Sequence, residues 1–163
     1  MLTKQKELLT KAIQLRAEKR FDESKSVLNE LLILAPDDAS YNYHMAWLHD
    51  NLGLEEQAIL YYEKALNGEL SSEEKQGALL GFGSTLRCLG KFDRSVEIFN
   101  EAIANYPENA SFKVFLALSQ FELGHTKVAF SGVLKQLALT TGDTEIARYK
   151  RALLEVADAI MEE

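Results

Sequence analysis

The sequence holds one cysteine, Cys88, and two prolines, Pro36 and Pro107. A lone thiol excludes an internal disulfide and fits a reducing compartment. Strand-type alternation of β-branched residues is missing, so no sheet is expected. Long hydrophobic runs are missing too: the stretch from Leu31 to Ala35 is far too short to cross a bilayer. The opening MLTKQKELLTKAIQLRAEKR has no apolar block of the kind a secretory signal needs. These absences predict a cytoplasmic chain with no membrane attachment.

An excess of positive charge is also absent. The formal net charge is −7, whereas affinity for nucleic acid comes largely from Lys and Arg, so no nucleic-acid partner is expected. The acidity is concentrated. Residues 37–75 carry Asp37, Asp38, Asp50, Glu55, Glu56, Glu63, Glu69, Glu73 and Glu74 against Lys64 and Lys75 alone. Such a bias reads as a solvated helix surface, with a docking patch for a basic partner as the alternative.

What the chain does have is helical periodicity. Its 163 residues, 47% of them hydrophobic, suit one domain spanning 1–163. Apolar residues recur at three- and four-residue intervals throughout: Leu8, Leu9, Ala12, Ile13 and Leu15 share one face, and Val96, Phe99, Ala102 and Ile103 another. The fold class is all-α. Self-comparison adds a longer period. Leu52-Gly53, Leu89-Gly90 and Leu123-Gly124 recur at intervals of 37 and 34 residues, each followed by a second amphipathic run.

A helix, a glycine turn and a second helix on a period near 34 resemble the tetratricopeptide repeat (TPR) family, whose pattern is W-x2-L-G-x2-Y…A-x3-F…P. The third repeat supplies Leu79, Phe82-Gly83, Leu86, Ser95, Phe99 and Pro107; the second supplies Asn42, Met45-Ala46, His49, Ala58 and Tyr62. The first gives Leu8, Lys11-Ala12, Leu15, Ser24, Leu28 and Pro36, and the fourth Lys113, Leu116-Ala117, Gln120, Ala129 and Val133. The blend of segments resembles in particular a small stand-alone bacterial TPR group. The resemblance implies an α-α superhelical solenoid of four hairpins, at about 3–36, 37–70, 73–107 and 108–141, plus a C-terminal capping helix over 143–162, nine helices in all. In that frame Ala12, Ala46, Gly83 and Ala117 are small so that helices can approach, as are Ser24, Ala58, Ser95 and Ala129. Ser71 and Glu74 have capping-box spacing and start the helix after Asn67-Gly68. The last helix presents Ile146, Tyr149, Leu153, Val156 and Ile160 as one stripe.

Chemical motifs are few. GALLGFGSTLRCLGKF suggests a phosphate loop, but no Lys precedes Ser84-Thr85 and no apolar strand precedes Gly77, so Gly81 and Gly83 read as helix-packing glycines. His44 and His49 are five apart and do not share a face as metal ligands would. Asp50 diverges from adjacent His49 on a helix. His125 stands alone, and Cys88, with no His at a defining spacing, reads as a small buried hydrophobe. No catalytic residue, metal or cofactor is expected, and the chain reads as not an enzyme.

The TPR resemblance implies instead a concave groove lined by the first helix of each hairpin. Carried over by register, its positions are Tyr43, Trp47, Asp50 and Asn51 in repeat two, Leu80, Ser84, Arg87 and Cys88 in repeat three, and Val114, Leu118, Phe121 and Glu122 in repeat four. Repeats one and two place Leu9, Ile13, Tyr43 and Trp47 where carboxylate-clamping TPRs use Lys and Asn, so an acidic chaperone tail is not the expected ligand. Three readings stand open: a module binding a protein or peptide segment, a homodimer that uses its groove or an edge, and a peptide-sensing regulator. Apolar stripes at both ends of the chain favour edges that pair.

Overall fold

The computed structural model describes residues 2–162, and among them it contains helices and no strand. The helices are α1 (Leu2–Ala17), α2 (Phe21–Leu34), α3 (Ala39–Asn51), α4 (Glu55–Leu66), α5 (Ser72–Cys88), α6 (Phe92–Asn105), α7 (Ala110–Glu122), α8 (Thr126–Thr140), α9 (Thr144–Arg148) and α10 (Lys150–Glu162). That makes ten among the described residues where nine were expected. The final helix is interrupted at Tyr149, whose N–H turns to the Ile146 carbonyl in a tight 3.0 Å bond. The chain divides into two compact units, one ending at Leu89 and the other beginning at Gly90.

In the first unit, α1 pairs with α2 and α3 with α4, while α5 packs on α4 and α3. The core joins Ala12, Leu28, Leu31, Tyr41, Met45 and Leu48, all essentially inaccessible to solvent. The small residues sit where helices meet. Ser24 is fully buried and donates its hydroxyl to the Ala12 carbonyl at 2.8 Å, tying the two small positions of the first hairpin together. Tyr62, which fills the space between small neighbours, is 1% exposed.

The turns inside the hairpins are left-handed. Gly53, Gly90 and Gly124 have φ of 67°, 72° and 81°, the conformation that glycine adopts without a steric cost. The first hairpin has no glycine there, and Lys19 takes the same conformation at φ 61°. Its turn is therefore not looser than the others. Between repeats two and three, Ser71 and Glu74 form a reciprocal capping box at the start of α5. Gly81 and Gly83 lie inside α5, with Gly83 buried. Gly77 and Gly81 allow close approach: a Cβ built on Gly77 would overlap the Tyr43 hydroxyl, and one on Gly81 the Tyr62 phenol.

In the second unit, α6 packs on α7, α7 on α8 and α8 on α10. Phe99 and Phe112 are fully buried, and the Ser95 and Ser119 hydroxyls, both buried, share a 2.8 Å hydrogen bond. Gly132 lets α8 close on the Ala117 methyl. α10 docks through Ala157, whose carbonyl accepts the Ser131 hydroxyl at 2.7 Å, and Ala157 is its one buried residue.

Candidate functional site

Three helices of the first unit enclose a cleft of about 630 Å³. Ile13, Arg16 and Ala17 come from the last turns of α1, and Tyr43, His44, Trp47 and Asn51 from α3. Ser71, Glu73 and Glu74 come from the cap and first turn of α5. Spacings of three and four residues put each set on one helix face. The α1 residues lie one 34-residue period before Trp47, Asp50 and Asn51, and two of these repeat positions, Ile13 with Trp47 and Ala17 with Asn51, reach the cleft from both helices.

α3 is buried on almost every side, including Asn42, His44 and His49. Trp47 is 42% exposed, and Asn51 at the end of the helix is exposed as well. The Arg16 guanidinium lies 3.7 Å from the Trp47 ring centroid, and Tyr43 flanks the indole with ring centroids 5.9 Å apart. A desolvated guanidinium over an indole face is a favourable cation–π pair, worth up to about 2 kcal/mol. It leaves the Trp47 side chain held in place and presented to solvent.

Beneath this pair runs a polar relay. Arg16 Nη1 donates to the His44 carbonyl at 3.3 Å and lies 3.3 Å from His44 Nδ1. Arginine has no acceptor, so Nδ1 must accept and the ring proton sits on Nε2. Nε2 then faces the Glu74 carboxylate at 3.7 Å. Burial, reinforced by Arg16, pushes the His44 pKa down to about 4 despite the opposing pull of Glu74. His44 is therefore neutral near pH 7. Burial also lowers the Arg16 pKa. Burial works to raise that of Glu74, but hydrogen bonds from Ser40 and Ser71 outweigh it and hold the carboxyl below its ordinary value. Glu74 is thus occupied in the structure, while Glu73 stands exposed at the cleft mouth.

The residues expected to line one groove lie on α3, α5 and α7. Trp47 and Asn51 line the cleft, and Tyr43 lines it from a buried position, 6% exposed. Asp50 bonds its neighbours instead: it accepts the Tyr62 hydroxyl at 2.6 Å, and Thr85 Oγ1 lies 2.8 Å from its other oxygen. Burial raises its pKa against those bonds. Leu80, Ser84 and Arg87 are half-buried on α5, outside the cleft lining. Cys88, expected to be buried, is exposed at the last position of α5. Val114, Leu118, Phe121 and Glu122 belong to α7 of the second unit, where Val114 is half-buried and Leu118 and Phe121 are 39% and 58% exposed. Among the described residues, no group of three or more His, Cys, Asp or Glu is arranged to hold a metal ion.

The sequence model of the tetratrico peptide repeat family matches residues 38–160. The chain belongs to this family. A TPR repeat-containing protein of Methanocaldococcus jannaschii is 23% identical over 91 residues, 55% of this chain and 28% of that one. The chain therefore spans under a third of that relative through the matched region. Among solved structures, PilF of Pseudomonas aeruginosa superimposes with a TM-score of 0.72 at 18% identity, over 97% of this chain and 73% of PilF. MamA does so with a TM-score of 0.75 at 17% identity, over 99% and 90% of the two chains. Identities this low establish the TPR fold and nothing finer. That fold is in general a protein–protein interaction module. No helix among the described residues is long and apolar enough to cross a membrane.

Proposed function

We propose that this TPR chain is a non-enzymatic interaction module whose α1–α3–α5 cleft takes up a protein or peptide segment, with Trp47 as the anchor. The observation that carries the reading is Trp47 itself: the one large aromatic of α3 left exposed, fixed by Arg16 on the wall of a 630 Å³ cleft. Trp is among the residues most often dominant at interfaces, and an anchor already held by its neighbours loses little freedom on binding. Arg16 is buried and committed to Trp47 and His44, so it adds little net charge for an anionic ligand to grip. Asn51 at the rim supplies an amide for hydrogen bonds to a peptide backbone. The reading takes the hairpins and cap as one TPR domain working in the cytoplasm, in keeping with the lone thiol of Cys88.

Trp47 is the sole tryptophan, which makes its emission a direct reporter of the cleft. Partners captured from native cytosol by the intact chain are titrated against it while emission is followed. Binding at the cleft shifts the emission. Trp47→Ala weakens capture more than tenfold, the effect of losing an anchor of about 2 kcal/mol or more. Its melting temperature falls by no more than the roughly 4–8 °C that loss of the Arg16 cation–π pair costs, and the chain stays folded. A variant that unfolds would place Trp47 in the core, and one that binds normally would remove it from the site.

A further inference from the structure

The second unit leaves an apolar face open. α10 meets α8 through Ala157, yet the stripe beside that contact stays in solvent: Tyr149 is 65% exposed and Val156 51%, with Ala152 and Ala159 exposed alongside them. The final helix thus covers α8 but presents a second apolar surface of its own, a pattern that marks a contact site.

The charges along this segment have an unusual order. Arg148, Lys150 and Arg151 occupy its start, and Glu155, Asp158 and Glu162 its end. α10 has no acid in its first turn and no base in its last. That is the reverse of what a helix dipole favours, since acids belong at the N-terminus and bases at the C-terminus. Local ion pairs correct the order only in part, since Arg148 bonds Glu145 in the preceding turn at 3.0 Å. Arg151 bonds Glu155 at 2.7 Å within the same helix while remaining 92% exposed, and Asp158 pairs with Lys135 of α8.

One partner corrects it without any new sequence: another α10 running the opposite way. The basic start of each helix then lies beside the acidic, dipole-negative end of the other, with Tyr149 and Val156 in the seam and the small Ala152 and Ala159 allowing close approach. We infer that two copies of the chain associate through an antiparallel α10–α10 contact, forming a two-fold homodimer. A two-fold contact of this kind uses the same patch on both chains, so self-complementary charge is what it needs. The contact is small, and the dimer belongs with the weaker, salt-sensitive interfaces.

Sedimentation equilibrium of the full chain tests this at about 100 µM and low salt, a range suited to a small interface. The parent sediments as a dimer and loses association as salt rises. Val156→Glu, at an exposed position, weakens association at least tenfold with helicity unchanged. Arg148→Glu with Arg151→Glu leaves Lys150 as the one base at the start of the segment, and Glu155→Lys with Glu162→Lys leaves Asp158 as the one acid among the described residues of its end. Each double variant alone is monomeric, and an equimolar mixture restores the dimer. A monomeric parent at this concentration overturns the inference, as does a dimer indifferent to Val156→Glu. A mixture that fails to associate overturns the antiparallel pairing. Trp47→Ala leaves the dimer intact, so the outcome is independent of the cleft reading.

Discussion

Lowering the pH from 7 to 4.5 should weaken the first unit through His44. In the unfolded chain this imidazole takes a proton near its ordinary value of 6.5, but in the fold that value falls to about 4. The cause is burial, reinforced by Arg16 at 3.3 Å, and Glu74 at 3.7 Å only partly offsets it. Between the two values the unfolded state holds the extra proton, so stability is complete above about pH 6.5 and declines as the pH falls toward 4. At pH 4.5 the loss is roughly 2–3 kcal/mol, and it levels off at about 3 kcal/mol below the folded value. For a chain of this length that lowers the melting temperature by roughly 5–10 °C. Carboxylates titrate over part of the same range: Glu74 adds to the acid loss, whereas Asp50, with its raised value, opposes it. The measurement is therefore a difference, in which thermal melts of the parent and of His44→Gln are compared at both pH values. The parent should lose stability more steeply than the variant, whose amide oxygen still accepts from Arg16. Equal slopes, or an NMR titration giving His44 a value near 6.5, would refute the buried neutral imidazole.

Gly81→Ala gains up to about 1 kcal/mol of helix propensity but forces the Tyr62 phenol away from Asp50, an overpacking cost of about 1–3 kcal/mol. A lower denaturation midpoint is expected, and a higher one would mean that α4 and α5 are not so close. Lys19→Gly relieves a left-handed lysine and should stabilise the first hairpin by about 1 kcal/mol, read as slower amide exchange in α1 and α2. Faster exchange there would show that the lysine side chain holds the turn.

The hairpins were legible because three independent signals coincide at the turns of the last three: apolar period, small residue and glycine. The first hairpin lacks the third signal, yet Ser24 and Ala12 still meet and Lys19 takes the left-handed turn, closed by the Arg20 N–H on the Leu15 carbonyl. The cleft was only half legible. Trp47 and Asn51 followed from their repeat positions, whereas Arg16 was missed although it stands one period before Asp50. The signal was present, since Ile13, Arg16 and Ala17 share a helix face with the spacing of Trp47, Asp50 and Asn51. Glu73 and Glu74 could not be placed at the same cleft from sequence, because doing so requires knowing how the start of α5 packs beside α3. Periodicity also could not tell exposed Trp47 from buried Tyr43, four residues away on the same face. That difference comes from the Tyr43 hydroxyl closing on Gly77 across the α3–α5 contact.

Within each compact unit the helices pack mainly on neighbours in sequence. Contacts of this kind close short loops and favour fast folding, and an N-terminal hairpin can form while the rest of a chain is still being synthesised. The α1–α2 and α3–α4 hairpins can therefore assemble as they emerge from the ribosome. The Trp47 cleft cannot, because its third wall starts at Ser71 and the capping box needs Glu74. Until those residues appear, Trp47 and Arg16 face an open side. The interaction surface is thus assembled later in synthesis than the helices that carry its anchor.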